Sequence, residues 1–128
     1  MRTMLLQDWI SVSSTVAWPV GSALFTLIQS EPHWAVTDEL QDLAFLVEVA
    51  YATGSAPTLA FQTAPAPEHG LFLPMQTPLA LPGLAGSSTI VRAFATATTG
   101  PPAGRYVRWA VTDTATWEAC FRITMVGF

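Results

Sequence analysis

Residues 43–63 constrain the fold more than any other stretch, because they contain two alternating apolar segments joined by a turn. Apolar side chains occupy every second position of the first segment, at Leu43, Phe45, Val47, Val49 and Tyr51. Side chains two residues apart share one face of a strand. Gly54 and Pro57 then favour a turn, and the alternation resumes over residues 58–63. A strand–turn–strand unit with one apolar face requires a second layer, so the sequence predicts a layered β structure.

The rest of the chain repeats this pattern of short alternating segments separated by turns. The predicted strands outside residues 43–63 cover residues 3–12, 21–29, 90–98, 106–112 and 117–125. Together they predict an all-β fold, a jelly-roll-like β-sandwich of about seven or eight mainly antiparallel strands. We expect residues 1–20 to form an N-terminal arm or edge strand, and residues 21–128 to form a single sandwich domain.

Two arrangements of the last two predicted strands are open. If they pair as a hairpin, their apolar faces coincide only when Val107 opposes Phe121, Trp109 opposes Ala119 and Val111 opposes Trp117. That register leaves residues 113–115 as a three-residue loop without the glycine that such loops usually carry. In the other arrangement, the two strands lie in different sheets.

Charged residues are too few to cover the surface of a chain of this size. They make up 11% of the 128 residues, and hydrophobic residues make up 51%, whereas a typical soluble domain carries about 25% charged residues. We therefore expect part of the surface to be buried against other chains, with neutral polar side chains covering the remainder. The net charge of −4 argues against nucleic-acid binding, which requires clustered positive charge.

The sequence also disfavours membrane insertion, secretion and a disulfide framework. No apolar run approaches the ~20 residues of a transmembrane helix. Gln7 and Asp8 interrupt the N-terminal apolar residues too early for a signal peptide. Cys120 is the only cysteine, so an intrachain disulfide cannot form.

No constellation of titratable residues points to catalysis or to a bound cofactor. His33 and His69 lie beside separate proline-containing loops, where an exposed loop residue is a simpler interpretation than a metal ligand. The acidic residues between 38 and 42 lack the glycine of an EF-hand loop, and no Gly-x-Ser-x-Gly motif is present. We therefore predict a protein that is not an enzyme, with no catalytic, metal-binding or cofactor-binding residues.

Aromatic side chains are the first group of candidate interface residues, because they are enriched at protein interfaces. Trp9, Trp18 and Trp34 lie outside clear strand periodicity, which suits either interface anchors or platforms that stack on sugars. Phe72 and Met75 belong to the proline-rich segment at residues 64–83, which we expect to reach neighbouring chains.

Arginines are the second group of candidate interface residues. Arg92, Arg108 and Arg122 fall on the outward face of their predicted strands. There they can form a solvated face, pair across strands with Glu48 or Glu118, or make a salt bridge between subunits.

Two sequence motifs resemble a pair found in small β-sandwich proteins of tailed-bacteriophage particles. The first is the turn and strand Gly-Ser-Ala-Pro-Thr-Leu at residues 54–59. The second is the strand Tyr-Val-Arg-Trp-Ala-Val-Thr at residues 106–112, followed by the aromatic final strand Trp-Glu-Ala-Cys-Phe-Arg-Ile at residues 117–123. The resemblance covers roughly the C-terminal two-thirds of the chain. It implies a structural component of a virion or of a phage-derived particle, without catalysis.

The sequence-based hypothesis is a non-enzymatic structural subunit of a bacteriophage or phage-like particle, as a capsid, decoration or tail component. Its partners would be copies of itself, as a homo-oligomer, or other particle proteins, and neither nucleic acid nor a membrane. We expect the protein to be made in the bacterial cytoplasm and to lie at the virion or particle surface. The alternative hypothesis is a carbohydrate-binding β-sandwich module that holds a glycan on exposed tryptophans.

Overall fold

The computed structural model describes residues 2–14, 25–30, 33–37, 40, 42–75, 78–93 and 104–128. Short 3-10 helices lie at His69–Leu71 and Pro82–Leu84. No helix in the described part of the chain has the length and hydropathy that a membrane crossing requires. The strands are β1 (Arg2–Ser14), β2 (Phe25–Ile28), β3 (Ala35–Val36), β4 (Leu43–Thr53), β5 (Thr58–Ala64), β6 (Leu73–Pro74), β7 (Leu79–Ala80), β8 (Ser87–Ala93), β9 (Tyr106–Asp113) and β10 (Trp117–Gly127).

Two antiparallel sheets pack face to face, which confirms the predicted all-β sandwich. The four-stranded sheet has the strand order β1-β10-β4-β8. The six-stranded sheet has the order β2-β9-β5-β6, with β3 also beside β9 and β7 also beside β5. The described strands number ten because two sheet edges are each built from two short strands in succession.

If each succession of two short strands is counted once, the described strands occupy eight positions, four in each sheet. β2 and β3 follow one another along one edge of β9, and β6 and β7 do the same along β5. In chain order, the first position pairs with the last, the second with the seventh, the third with the sixth and the fourth with the fifth. The chain is therefore a long antiparallel ribbon. It is wrapped so that the third position also pairs with the last, and the fourth with the seventh.

The apolar faces predicted for the two segments of residues 43–63 pack against each other from opposite sheets. β4 lies in the four-stranded sheet and β5 in the six-stranded sheet, and the predicted turn carries the chain from one to the other. The rings of Phe45 and Phe61 stack between the sheets, with 3.9 Å between their centroids and an interplanar angle of 6°. Both side chains are fully buried, and burying a phenylalanine contributes about 1.5–3 kcal/mol relative to leaving it exposed. Each sheet is thus the second layer that the other requires.

Tyr51 departs from the predicted inward face of β4. The pairing of β4 with β10 sets Val49 opposite Phe121 and Tyr51 opposite Cys120, so Ala50 is an extra residue on β4. Such a bulge shifts the alternation by one residue. Tyr51 is consequently 42% exposed, while Val49 stays buried.

The last two strands lie in different sheets, as the second of the two predicted arrangements requires. β9 pairs with β5, β2 and β3, whereas β10 lies between β1 and β4. Trp109 and Phe121 meet edge to face across the core, with 5.1 Å between ring centroids. The hairpin register is therefore wrong. Two strands whose apolar faces point into the same core show the same alternation whether they are neighbours in one sheet or lie in facing sheets. The alternation alone could not select between the two arrangements.

The N-terminal strand is an integral edge of the four-stranded sheet. β1 pairs with β10 from Arg2 opposite Gly127 to Ser14 opposite Trp117, and Leu6 is buried in the core. Residues 15–20 of the predicted arm, and residues 21–24 and 94–98 of two predicted strands, lie outside the described residues. The division into an arm at 1–20 and a domain at 21–128 stays a prediction.

Candidate assembly surface

The outer face of the four-stranded sheet carries apolar side chains where a solvated sheet face usually carries polar ones. One register line crosses all four strands: Leu5 lies opposite Thr124, Thr124 opposite Leu46, and Leu46 opposite Ile90. Leu5 is 53% exposed and Ile90 is 60% exposed, and Leu46 and Thr124 are half-buried. We refer to these four residues as the apolar row.

An ion pair with an aromatic neighbour lies beside the apolar row. Arg122 on β10 opposes Glu48 on β4, and its Nη2 lies 2.8 Å from Oε1 and 3.0 Å from Oε2 of that carboxylate. The guanidinium also lies 5.1 Å from the ring centroid of Trp9, which is itself exposed. The cross-strand pairing that was one of the roles predicted for Arg122 is therefore present.

Arg108 is buried, which corrects the prediction that it forms part of a solvated outward face. Its side chain is only 2% exposed. The guanidinium lies 3.8 Å from the ring centroid of Phe72 and 5.2 Å from that of Trp34. Its Nε donates to Gln62 Oε1 at 2.8 Å, and its Nη1 lies 3.1 Å from His69 Nδ1. Burial lowers the pKa of Arg108 to about 10.

The contact with Arg108 also assigns a hydrogen-bonding role to His69 Nδ1. A guanidinium has donors and no acceptor, so Nδ1 accepts in this hydrogen bond. Arg108 and Gln62 do point to the outer side of the six-stranded sheet, as their strand positions predict. Arg108 is buried there because Trp34 and the segment around His69 and Phe72 pack over that side, and Gln62 is half-buried.

The proline-rich segment contributes more to the interior than predicted. Met75 is 1% exposed, and its backbone N–H donates to the carbonyl of Phe61 at 2.9 Å. Phe72 is buried and meets Trp34 edge to face, with 4.7 Å between ring centroids. Neither Met75 nor Phe72 forms an accessible surface of this chain. Leu73 is an exposed apolar residue of the segment.

The other candidate interface residues have different surroundings. Arg92 is exposed on β8, opposite Ala44. Trp34 is half-buried, and its Nε1 donates to the Gln29 carbonyl at 2.7 Å. Trp18 lies outside the described residues. The structure thus brings Trp9 and Arg122 together on the four-stranded sheet, and Trp34, Phe72 and Arg108 together on the other.

Asp113 is a buried carboxylate that sequence reasoning did not single out. It is 4% exposed and accepts hydrogen bonds from the Thr114 N–H at 2.6 Å, the Ser55 hydroxyl at 3.1 Å and the Ala56 N–H at 3.3 Å. Burial by itself raises the pKa of Asp113, but these hydrogen bonds outweigh it and hold the pKa below its usual value. An aspartate at a strand end before a turn is the local signal for such bonding.

Gly54 approaches this carboxylate closely, and we expect Gly54→Ala to lower the free energy of unfolding by about 2 kcal/mol. Its φ is +129°, and an added Cβ would lie 2.9 Å from Asp113 Oδ2 and 2.9 Å from Trp117 Cβ. Urea unfolding monitored by tryptophan fluorescence measures the change. Gly83→Ala is the matched control, because its Cβ would meet nothing within 4 Å. Equal midpoints for the two variants would contradict the argument.

The described residues contain no group of three or more His, Cys, Asp or Glu side chains placed to hold a metal ion. His33 is exposed, and His69 is engaged with Arg108.

No protein-family model and no curated protein matches the sequence. Among solved structures, the chain is similar to a chain of the infectious bursal disease virus Gx strain structure. The alignment covers 97% of this chain and 31% of the viral chain, with a TM-score of 0.42 and 13% sequence identity. This chain therefore spans about a third of the length of the viral chain.

Proposed function

We propose that the chain is a non-enzymatic structural subunit of a multi-protein assembly, acting by self-association or by docking on other particle proteins. The apolar row is the observation that carries this proposal. It crosses the whole four-stranded sheet, and Leu5 and Ile90 at its two ends are more than half exposed. Exposed apolar patches of this kind mark interaction surfaces, and the low charge content of the chain agrees with a surface that is buried in an assembly.

The strand order is compatible with this role. An antiparallel ribbon of eight strand positions wrapped into two sheets favours a jelly-roll-like arrangement, and jelly rolls build viral capsid domains as well as lectins and cupins. One fold supports many unrelated functions, so the proposal rests on the apolar row and not on the fold.

The kind of assembly is proposed from the sequence motifs at residues 54–59 and 106–123. Their resemblance to small proteins of tailed-bacteriophage particles favours a capsid, decoration or tail component. Such a subunit would be made in the bacterial cytoplasm and would lie on the particle. The glycan-binding alternative stays a prediction, for which Trp9 is the exposed tryptophan among the described residues.

A charge placed in the apolar row tests the proposed function. We expect Leu46→Lys to raise the dissociation constant of the assembly at least tenfold, a change of about 1.4 kcal/mol, because association would desolvate the ammonium group. Leu46 points outward from β4, so the fold should survive. Light scattering coupled to size-exclusion chromatography measures the assembly, and circular dichroism checks the fold. Deleting β1 is a poorer test, since it would remove the buried Leu6.

Leu73→Lys is the matched control, because Leu73 is 57% exposed and lies on β6 of the other sheet. It should leave the assembly unchanged. A Leu46→Lys variant that assembles like the parent, or a Leu73→Lys variant that is equally impaired, would refute the role of the apolar row. A parent chain that stays monomeric, both alone and with other particle proteins, would refute the proposed function.

A further inference from the structure

Three of the four sheet edges have features that hinder pairing with another strand. β1 has register irregularities between Leu5 and Gln7 and between Gln7 and Ile10. In the six-stranded sheet, one edge consists of β2 and β3, with four and two residues, and the other of β6 and β7, with two residues each and Pro74 in β6. Bulges, short strands and proline are the usual means by which proteins protect sheet edges.

The fourth edge, β8, has none of these features. It pairs with β4 at seven successive positions without a register shift, from Ser87 opposite Val49 to Ala93 opposite Leu43. It contains no proline and one charged residue, Arg92. Within the described part of the chain, β4 is its only strand partner. A regular edge of this length presents backbone N–H and C=O groups to an added strand.

We propose that β8 pairs antiparallel with β8 of a second copy, centred on Ile90, and joins two four-stranded sheets into one of eight strands. The inference rests on the proposed function and deepens it, because it adds an edge contact between two copies to the face contact that the apolar row would make. A two-fold interface uses the same patch on both copies, so the sequence of β8 must complement itself.

The β8 sequence meets this requirement in the register centred on Ile90. Ile90 then opposes Ile90 of the second copy, Thr89 opposes Val91, and Ser88 opposes Arg92. The two positive charges are therefore not opposite each other, which avoids the destabilisation of a like-charge pair.

The same register explains why the apolar row ends at an exposed residue on β8. Opposed residues on paired strands share one face of the sheet, so pairing at Ile90 would make the two rows collinear. A continuous apolar row would then cross the eight strands from Leu5 of one copy to Leu5 of the other. A foreign strand would extend the sheet but would supply no matching row, which favours a second copy as the occupant.

Cysteine crosslinking tests both the pairing and its register, in a Cys120→Ser background that removes the native thiol. Directly opposed residues have Cα atoms about 4.5–5.5 Å apart, within the range that a disulfide spans. We expect Ile90→Cys to give a disulfide-linked dimer on mild oxidation. Ser88→Cys alone should not, because positions 88 of the two copies would be four residues apart along the strands, about 13 Å. A mixture of Ser88→Cys and Arg92→Cys chains should crosslink.

The outcomes separate this inference from the proposed function. Crosslinking of Ile90→Cys and of the mixture, but not of Ser88→Cys alone, supports the pairing. If the parent assembles by light scattering but neither Ile90→Cys nor the mixture crosslinks, edge pairing is refuted and the proposed function stands, with a face contact or another protein as the partner. Ser88→Cys that crosslinks as fast as Ile90→Cys refutes the register. A parent that is monomeric in every condition refutes both.

Discussion

Replacing Asp113 with alanine should lower the free energy of unfolding at neutral pH by about 3 kcal/mol. The carboxylate is buried and accepts hydrogen bonds from the Thr114 N–H, the Ser55 hydroxyl and the Ala56 N–H. These donors belong to the turns that follow β9 and β4, so the alanine variant would lose the hydrogen bonds that connect the two turns. Urea unfolding followed by tryptophan fluorescence at pH 7 measures the loss.

The contribution of Asp113 should also depend on pH, with a sign that follows from its pKa. The folded pKa lies below the usual value of 3.8, so the native state binds this proton less readily than the unfolded state. The stabilisation is therefore complete above about pH 5 and is lost as the pH falls through the folded pKa. The difference in unfolding free energy between the parent and Asp113→Asn should shrink over that acidic range.

Glu68→Gln provides the control for loss of a negative charge, because Glu68 is exposed. Its unfolding free energy should stay within about 0.5 kcal/mol of the parent at pH 7. A difference between the parent and Asp113→Asn that is constant from pH 7 to the acid limit would show that Asp113 contributes packing and not a charge-assisted hydrogen-bond network.

Arg108→Ala should be as damaging, with a loss of about 3 kcal/mol in unfolding free energy. The variant removes a stem and guanidinium that pack against the rings of Phe72 and Trp34. It also leaves Gln62 Oε1 without its donor. Trp34 and Phe72 should then pack less tightly over the six-stranded sheet. The emission of Trp34 should shift toward that of a solvated indole before global unfolding begins.

Arg108→Met separates packing from charge. Burial lowers the pKa of Arg108, which means that its charged form is disfavoured there, so an apolar side chain of similar length should cost only about 1 kcal/mol. Equilibrium unfolding of both variants in urea gives the comparison. If the methionine variant is as unstable as the alanine variant, the charge and hydrogen bonds of Arg108, and not its packing, stabilise the contact of Trp34 and Phe72 with the six-stranded sheet.

The strands that could be predicted from sequence are those whose burial alternates strictly. β4, β5, β9 and β10 were predicted almost to their ends, because period-two burial depends only on neighbours along the chain. Tyr51 was assigned to the wrong face because Ala50 forms a bulge, and a bulge exists only relative to the partner strand. β2 lies within the predicted strand at residues 21–29, whereas β3 was not predicted, because a two-residue strand exists only through its pairing with β9.

The candidate surface could be predicted only in part. Cross-strand pairing of an outward arginine with Glu48 was one of the roles that the sequence left open, and Arg122 takes that role because β10 lies beside β4. The apolar row was not foreseen, since Leu5, Leu46 and Ile90 become neighbours only through the register of four strands. Asp113 was missed because its donors Ser55 and Ala56 come from the turn between β4 and β5, more than fifty residues away.

By itself, the sequence determined that this chain forms a two-layer β structure, and which residues of most strands turn inward. The tertiary structure decided which sheet each strand joins, which edges are left free, and that Arg108 is buried under Trp34 and Phe72. The physical reason is that the alternation of apolar residues depends on which side chains are buried and not on which strands are paired. Strands with the same period can exchange neighbours without changing their inward faces, so only contacts between distant segments select one arrangement.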